Sequence, residues 1–466
     1  MTPSASAGPV ATYDVIVIGG GAAGENAADY AIRGSDRTAA LVESGLLGGE
    51  CSYYACIPSK ALLRPLDVAE TAANLEGLST PSLDRAGLLA RRDRWVADYQ
   101  DAGQVRWATG AGLDVVRGHG RLVGDRTVEV FGRSGDVRHL VAREAVVLAT
   151  GSVPVIPPPL AGVAPWTTRE ATGVTAVPDR LAIVGGGPAA CEAARWMSAL
   201  GAEVTLLVRH RLLSRFEDFA GDDVADGLRA AGVRVLLDTA VDSAERATDP
   251  AAPAGALTLH LDDGADLTVD EVLVAAGRRP NTDDLGLDAL DLTAADLQGR
   301  THGGTLPDWL YTVGDVNGEA LLTHWGKHQA RMVGRRIAAR AEGRPAPEEL
   351  PAPVPTVVFT SPQVAAVGLT SREAAAHGLA VRLLDVDYTS AAGASLLRDD
   401  AHGQVRLVVD AATDVLLGAT FVGPEVAEQL HAATIAITAG LDLATLRRAV
   451  PSYPTASEVW LRLLEQ

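Results

Sequence analysis

Tyr13-Asp14-Val15-Ile16-Val17-Ile18-Gly19-Gly20-Gly21-Ala22-Ala23-Gly24 decides the fold of this chain. Tyr13 to Ile18 is a short apolar, β-branched run that stops at glycine, which reads as a buried parallel strand. The glycines then permit a tight turn, close approach of a pyrophosphate and close packing of the next helix, read as Ala22 to Arg33. Such a helix start offers amide hydrogens and a partial positive charge to an anion. Thr38 to Val42 is the second strand. Glu43 follows 19 residues after Gly24, where a carboxylate can hold both hydroxyls of an adenosine ribose. Gly19, Gly21, Gly24 and Glu43 are therefore candidate dinucleotide ligands.

The pattern occurs twice. Ala145 to Thr150 is another buried strand, ended by Gly151, and a Pro-rich linker covers Val153 to Pro159. About 165 residues after the first unit, Leu181 to Val184 enters Gly185-Gly186-Gly187-Pro188-Ala189-Ala190, and Glu203 to Val208 is the next strand. Two units imply two separate dinucleotides. Glu271 to Ala276 and Gly277-Arg278-Arg279-Pro280-Asn281 close the second unit, and Tyr311 to Val316 returns to the first. Ala346 to Pro355 is a second Pro-rich linker. From Thr356 onward short strands, turns and helical stretches indicate a separate α+β domain. The expected architecture is α/β: two doubly wound dinucleotide-binding domains plus a C-terminal α+β domain. The expected division is 12–155, 156–285, 286–347 and 348–466. Residues 68–110, polar and rich in Arg, Asp and Ala, read as a solvated helical excursion.

Between the two units lies Gly48-Gly49-Glu50-Cys51-Ser52-Tyr53-Tyr54-Ala55-Cys56-Ile57-Pro58-Ser59-Lys60. Two cysteines this close can cycle between thiols and a disulfide, which suits two-electron transfer. No His/Cys cluster accompanies them, so a metal site is not expected. The third cysteine, Cys191, lies just inside a helix and reads as packing.

Bulk composition agrees. A chain of 466 residues exceeds one core and implies several domains. A net charge of −19 argues against a nucleic-acid surface. No apolar run reaches the roughly 18 residues needed to cross a bilayer, and Met1 to Thr12 is a small polar tail without the marks of a secretory signal. A cytoplasmic setting is expected, where a disulfide is more often catalytic than structural.

In these motifs and their order the chain resembles the flavin-dependent pyridine nucleotide–disulfide oxidoreductases, which include lipoamide dehydrogenase, glutathione reductase, mercuric reductase and the soluble transhydrogenases. The resemblance covers about residues 12–466. It implies FAD in the first unit, with Gly314-Asp315 of Thr312-Val313-Gly314-Asp315 on the ribityl chain and Leu321-Leu322-Thr323-His324 as the family's following helix. It implies that Cys56 is the flavin-proximal thiolate, that Cys51 attacks the acceptor, and that Lys60 pairs with Glu192 to tune the flavin. Gly49, Thr150, Gly151, Gly185, Gly187, Gly277 and His324 complete the expected cofactor-binding set. It also implies that the C-terminal α+β domain is the dimerisation domain of a homodimer that acts on a small-molecule acceptor, with no nucleic-acid or membrane partner.

In the second unit the strand ends Val208-Arg209-His210-Arg211, with Arg215 soon after. An acidic residue expected for NAD at Val208 is missing, and basic residues here can bind the 2′-phosphate of NADPH. The pattern resembles that of glutathione reductases, so NADP is the expected cofactor, with NAD as an alternative. The chain departs from the family at Pro451-Ser452-Tyr453-Pro454-Thr455-Ala456-Ser457-Glu458. Disulfide reductases carry histidine at Tyr453 and hold it with the glutamate matched by Glu458. Tyrosine, with a pKa near 10, is a poor base at pH 7. Tyrosine at this place resembles mercuric reductases and soluble transhydrogenases, but no cysteine pair lies near the C-terminus and Cys56 is present. Asp29 stands where glutathione reductases place a substrate-binding arginine. The expected reaction passes electrons from NADPH through FAD to Cys51–Cys56 and on to an acceptor: a disulfide as in lipoamide dehydrogenase, or a quinone, metal ion or nucleotide reached from the flavin.

Overall fold

The computed structural model describes residues 10–247, 256–348 and 351–466. They fall into two compact units. One runs through Pro58, Asp93–Val155 and onward from Arg278; the other comprises Ser59–Arg92, Ile156–Gly277 and Pro351–Gln466.

The first unit is built on a seven-stranded sheet. Val10–Ile18 runs parallel to Ala39–Glu43 on one side and to Val137–Leu148 on the other. Leu113–Arg117 extends the parallel set, and Leu310–Thr312 pairs with Val137–Leu148, so the chain does return to the first unit at Tyr311. Val15, Ile16 and Val17 are fully buried, as both faces of a parallel sheet require. The first strand starts earlier than its apolar pattern shows: Val10–Thr12, read as tail, pairs with His139–Val141. Residues 1–9 of that tail lie outside the described residues. The strand predicted at Ala145–Thr150 is the end of a longer one, because Val137–Val141 also pairs antiparallel with Thr127–Phe131.

The second unit repeats the design. Four parallel strands, Arg234–Leu236, Glu203–Leu207, Arg180–Val184 and Glu271–Val274, form one sheet. An antiparallel sheet of Val241–Arg246, Leu257–Leu261 and Asp266–Val269 accompanies it. The chain has left this unit by Arg278, since Arg278–Pro280 pairs with Ser152–Pro154. The C-terminal part is a five-stranded antiparallel sheet from Thr356–Val358 to Leu416–Gly423, with helices packed on it. Of the linker at Ala346 to Pro355, residues 349 and 350 lie outside the described residues.

The 68–110 segment is helical but not solvated throughout. In the helix Arg85–Trp95, Leu88 and Arg92 are buried, Arg92 at 1 % exposure. Its guanidinium donates to the carbonyls of Thr172 and Val174. An arginine is buried only when its donors find acceptors, and these two carbonyls supply them here. Arg195, also buried, ties the helix Cys56–Ala73 to the helix Pro188–Leu200 through Asp67 and Glu70.

Candidate active site

The first glycine turn has the shape its sequence demands. Gly19 has φ +109, and a Cβ there would lie 2.3 Å from the Ala149 carbonyl oxygen. A Cβ on Gly24 would meet the Gly19 oxygen at 1.8 Å, so the helix Ala22–Ile32 can approach the strand this closely only with glycine. Gly185 mirrors Gly19, with φ +145 and a Cβ 2.3 Å from the Ala275 oxygen. The two turns are one structural device used twice. Gly49 packs against Gly21, where a Cβ would lie 2.7 Å from the Gly21 Cα. Gly187 caps the second helix, with Pro188 at its first turn, where its missing N–H costs nothing. Gly277, φ +119, lies where the second unit ends.

Glu43 is held as a bidentate acceptor. One carboxylate oxygen takes the Gly20 N–H at 2.7 Å and the other the Gly45 N–H at 2.5 Å. Asp315 accepts from Ser152 Oγ at 2.6 Å. Burial raises the Asp315 carboxyl pKa against the opposing pull of Ser152 and Arg278. Arg278 continues this chain of polar contacts, donating to Ser152 Oγ at 2.7 Å and to Glu50 at 2.5 Å. Thr150 Oγ1 donates to the Asn281 carbonyl, and the Asn281 N–H to the Gly151 carbonyl. Sequence reading quoted Arg278 only as a strand end and missed Ser152. Their polar roles follow from the pairing of two short strands far apart in the chain, which no local pattern reports. His324 is exposed on the helix Thr323–Ala341.

Cys51 sits in the short helix Gly49–Tyr53, and Cys56 begins the helix that carries Lys60 one turn on. Both cysteines are partly buried thiols. Cys56 Sγ is 3.3 Å from Thr323 Oγ1, a partner sequence reading quoted without assigning. The Cys51 thiol pKa is raised, first by its hydrogen bond with Cys56 and then by burial, while Thr323 and Lys327 act in the opposite direction. Nearby, burial pushes Glu25 up to about 7, partly offset by Lys327 and reinforced by Glu43. Glu25 and Lys327 were also missed: neither stands in a motif, and only tertiary packing buries the carboxyl.

In the second unit Lys60 Nζ lies 2.6 Å from Glu192 Oε2. The other Glu192 oxygen accepts the Phe359 N–H at 3.0 Å, and the ammonium sits 4.7 Å from the Phe359 ring centroid. Arg209, His210 and Arg215 are exposed and make no side-chain hydrogen bond or ion pair among the described residues. Arg211 instead pairs with Asp218. Cys191 is fully buried in the core of this unit. Tyr453 is 78 % exposed, whereas Glu458 is buried and its Oε2 has no hydrogen-bond partner among the described residues. Tyr453 and Glu458 belong to the second unit, Cys51 and Cys56 to the first. Asp29 is paired with Arg33. No group of three or more potential metal ligands occurs among the described residues, and no helix there is long and apolar enough to cross a membrane.

The family model for pyridine nucleotide-disulphide oxidoreductases matches residues 13–343, and the model for the dimerisation domain of the same proteins matches residues 354–463. The chain belongs to the pyridine nucleotide-disulphide oxidoreductase family. It is 33 % identical to dihydrolipoyl dehydrogenase 2 of Haloarcula marismortui, over 96 % of this chain and 94 % of that one. It is 32 % identical to the dihydrolipoyl dehydrogenase of Thermus scotoductus, over 96 % and 95 %. It is 28 % identical to the mercuric reductase of Staphylococcus aureus, over 96 % and 81 %. Among solved structures, the HOCl-induced flavoprotein disulfide reductase RclA from Escherichia coli, as its Cu(II) complex, superposes with a TM-score of 0.84 at 22 % identity, over 97 % of this chain and 99 % of that one. LpdA from Mycobacterium tuberculosis superposes at 0.83 and 23 % identity, over 98 % and 99 %. The structural matches share the fold.

As a pyridine nucleotide-disulphide oxidoreductase the protein is an oxidoreductase with FAD and a pyridine nucleotide as cofactors, and its dimerisation domain supports a homodimer. The first unit fits FAD. Glycine-only clearances at Gly19, Gly24 and Gly49, the Glu43 carboxylate at the strand end and the buried Asp315 carboxylate make a cradle of the required polarity.

Proposed function

We propose that this protein passes electrons from NADPH to the Cys51–Cys56 pair and on to a small acceptor that does not depend on a histidine base. The observation that carries the reading is the juxtaposition of the two thiols with Thr323, in the unit that presents the dinucleotide cradle. FAD bound in that cradle would supply the two-electron relay between nicotinamide and dithiol. Gly19, Gly21, Gly24, Glu43, Gly49, Thr150, Gly151, Gly314, Asp315 and His324 are proposed to hold it. Gly185, Gly187 and Gly277 would form the nicotinamide nucleotide site, with Arg209, His210 and Arg215 taking the 2′-phosphate. Lys60, its charge held by Glu192, would present a positive group to the flavin. The division 12–155, 156–285, 286–347 and 348–466 is proposed to mark the FAD, NAD(P), central and interface parts. A cytoplasmic setting suits a catalytic dithiol.

Cys56 is assigned the role of flavin-side sulfur and Cys51 that of attacking sulfur. The raised Cys51 pKa means that Cys51 needs help to lose its proton, and Tyr453 is a poor base for that task. The partner's Tyr453 and Glu458 are proposed to line the acceptor site, where the exposed Tyr453 offers no histidine base. Quinones, metal ions and similar electrophiles are favoured on this ground. Lipoamide is the second reading, supported by the dihydrolipoyl dehydrogenases among the relatives.

Anaerobic titration with NADPH, and separately with NADH, tests the proposal. A long-wavelength thiolate–flavin band at two electrons is expected, with NADPH the better reductant. Flavin bleaching without that band would remove the dithiol from the pathway, and equal kcat/KM for the two nucleotides would remove the NADPH assignment. Rapid lipoamide turnover by the parent would favour the second reading, whereas lipoamide turnover acquired only in a Tyr453→His variant would support the first.

A further inference from the structure

Tyr54 stands between the two cysteines, where the helix Gly49–Tyr53 gives way to the helix beginning at Cys56. Its ring stacks on Tyr99, with centroids 5.5 Å apart and planes 21° from parallel. Tyr99 ends the run Ala97, Asp98, Tyr99, whose φ angles are +49, +49 and +57. Three successive left-handed residues, none of them glycine, are unfavourable for L-amino acids. They persist only where their surroundings hold them, and such strain collects at functional sites.

The surroundings here are the dithiol loop itself. Just after the turn, Asp101 Oδ2 accepts the Leu47 N–H at 2.7 Å and an Arg117 N–H at 2.5 Å. Arg117 also donates to the Gly45 carbonyl at 2.8 Å. Residues 45–47 lead directly into the helix of Cys51. The segment therefore grips the loop before the first cysteine by hydrogen bonds and between the cysteines by a ring stack. Tyr53, buried, packs against Tyr54 with ring centroids 6.3 Å apart.

We propose that Tyr99 is a positioning residue for the Cys51–Cys56 pair: through its stack on Tyr54 it holds the loop between the sulfurs in the conformation from which the disulfide opens and closes. The inference rests on the reading of that pair as the redox centre. In the step it serves, the Cys51–Cys56 S–S bond breaks and two S–H bonds form. The dihydronicotinamide is oxidised, giving two electrons and one proton; solvent gives the second proton. A held loop keeps each thiol at high effective concentration for the other, which favours the closed disulfide. A loosened loop should make the disulfide easier to reduce.

The holoenzyme and its variants are equilibrated anaerobically in dithiothreitol redox buffers, the thiols are trapped by alkylation, and Cys51 and Cys56 are counted by mass spectrometry. Tyr99→Leu should lower the equilibrium constant for disulfide formation about tenfold, which is a rise of about 30 mV in the two-electron potential. Tyr99→Phe, which keeps the ring, should stay within about twofold of the parent. Tyr54→Leu should match Tyr99→Leu, and the double variant should go no further, since both remove one stack. A Tyr99→Leu or Tyr54→Leu equilibrium constant within about twofold of the parent, or additive single effects, overturns the proposal. If Tyr99→Leu fails to fold, Tyr54→Leu decides alone by the same criterion. A parent pair that never closes in any buffer defeats the redox reading, and this inference with it. A parent pair that titrates beside unmoved variants defeats only the brace.

Discussion

Glu25 shows how much one residue's environment can depart from its sequence neighbourhood. It lies in the first turn of the helix Ala22–Ile32 and is 8 % exposed, and burial pushes its carboxyl up to about 7. A carboxyl raised above its unfolded value holds its proton more tightly when folded. Stability is therefore lost as pH rises from the unfolded pKa near 4.5 through about 7. Glu25→Gln, neutral throughout, should lose about 2–3 kcal/mol less stability than the parent between pH 4.5 and pH 8, measured by urea unfolding across that range. Parallel pH profiles for the two proteins would show that Glu25 titrates normally. At the proposed second nucleotide site, Arg209→Ala with Arg215→Ala should lower kcat/KM for NADPH by about tenfold or more, with NADH changed less than about twofold. An equal loss for both nucleotides would place these arginines elsewhere. The basic run Arg209-His210-Arg211 with Arg215 was legible in sequence because it is a local cluster just after the strand Glu203–Leu207. The fate of Glu25 was not, since Gln104, which donates to its carboxylate, and the helix Thr323–Ala341, which packs against its own helix, are remote in the chain.

At the scale of elements, two helices of the second unit are joined by Lys60 and Glu192, and Glu192 also satisfies the Phe359 N–H. Removing a buried carboxylate leaves both donors without their acceptor. Glu192→Ala should cost about 2–3 kcal/mol of unfolding free energy, and Glu192→Gln, which still accepts from Phe359, about half of that. Denaturant midpoints with unchanged m-values check this, and an unaltered midpoint for Glu192→Ala would show that the pair adds nothing. Arg92 offers a second case. Arg92→Met should cost about 2–4 kcal/mol, because two carbonyls lose their donors in a dry site. The alternation of Arg, Asp and Ala in residues 68–110 pointed to a solvated face. The helix instead turns Leu88 and Arg92 inward, toward carbonyls that no local periodicity reveals.

The whole molecule is a repeated nucleotide-binding design followed by a dimerisation domain that leaves large apolar side chains in water: Val450 at 87 % and Ile435 at 54 % exposure. In the proposed homodimer these positions contribute to the self-interface. Val450→Asp with Ile435→Asp should raise the dimer dissociation constant by about tenfold or more, read by sedimentation velocity, while the far-ultraviolet spectrum is kept. A dimer of parental affinity would move the interface to another face. By itself the sequence determined the strand–glycine–helix units at Tyr13 and Leu181, the cysteine pair, the change of pattern near Thr356 and the family. Each is a local code, in which one residue's steric or chemical requirement is met by its immediate neighbours. Tertiary structure alone decided that Thr323 meets Cys56, that Arg278 joins Glu50 to Ser152, that Glu25 and Arg92 are buried, and that Tyr99 stacks on Tyr54. Those contacts join residues separated by 45 to 267 positions, and a partner so distant leaves no trace in the composition or periodicity around either residue.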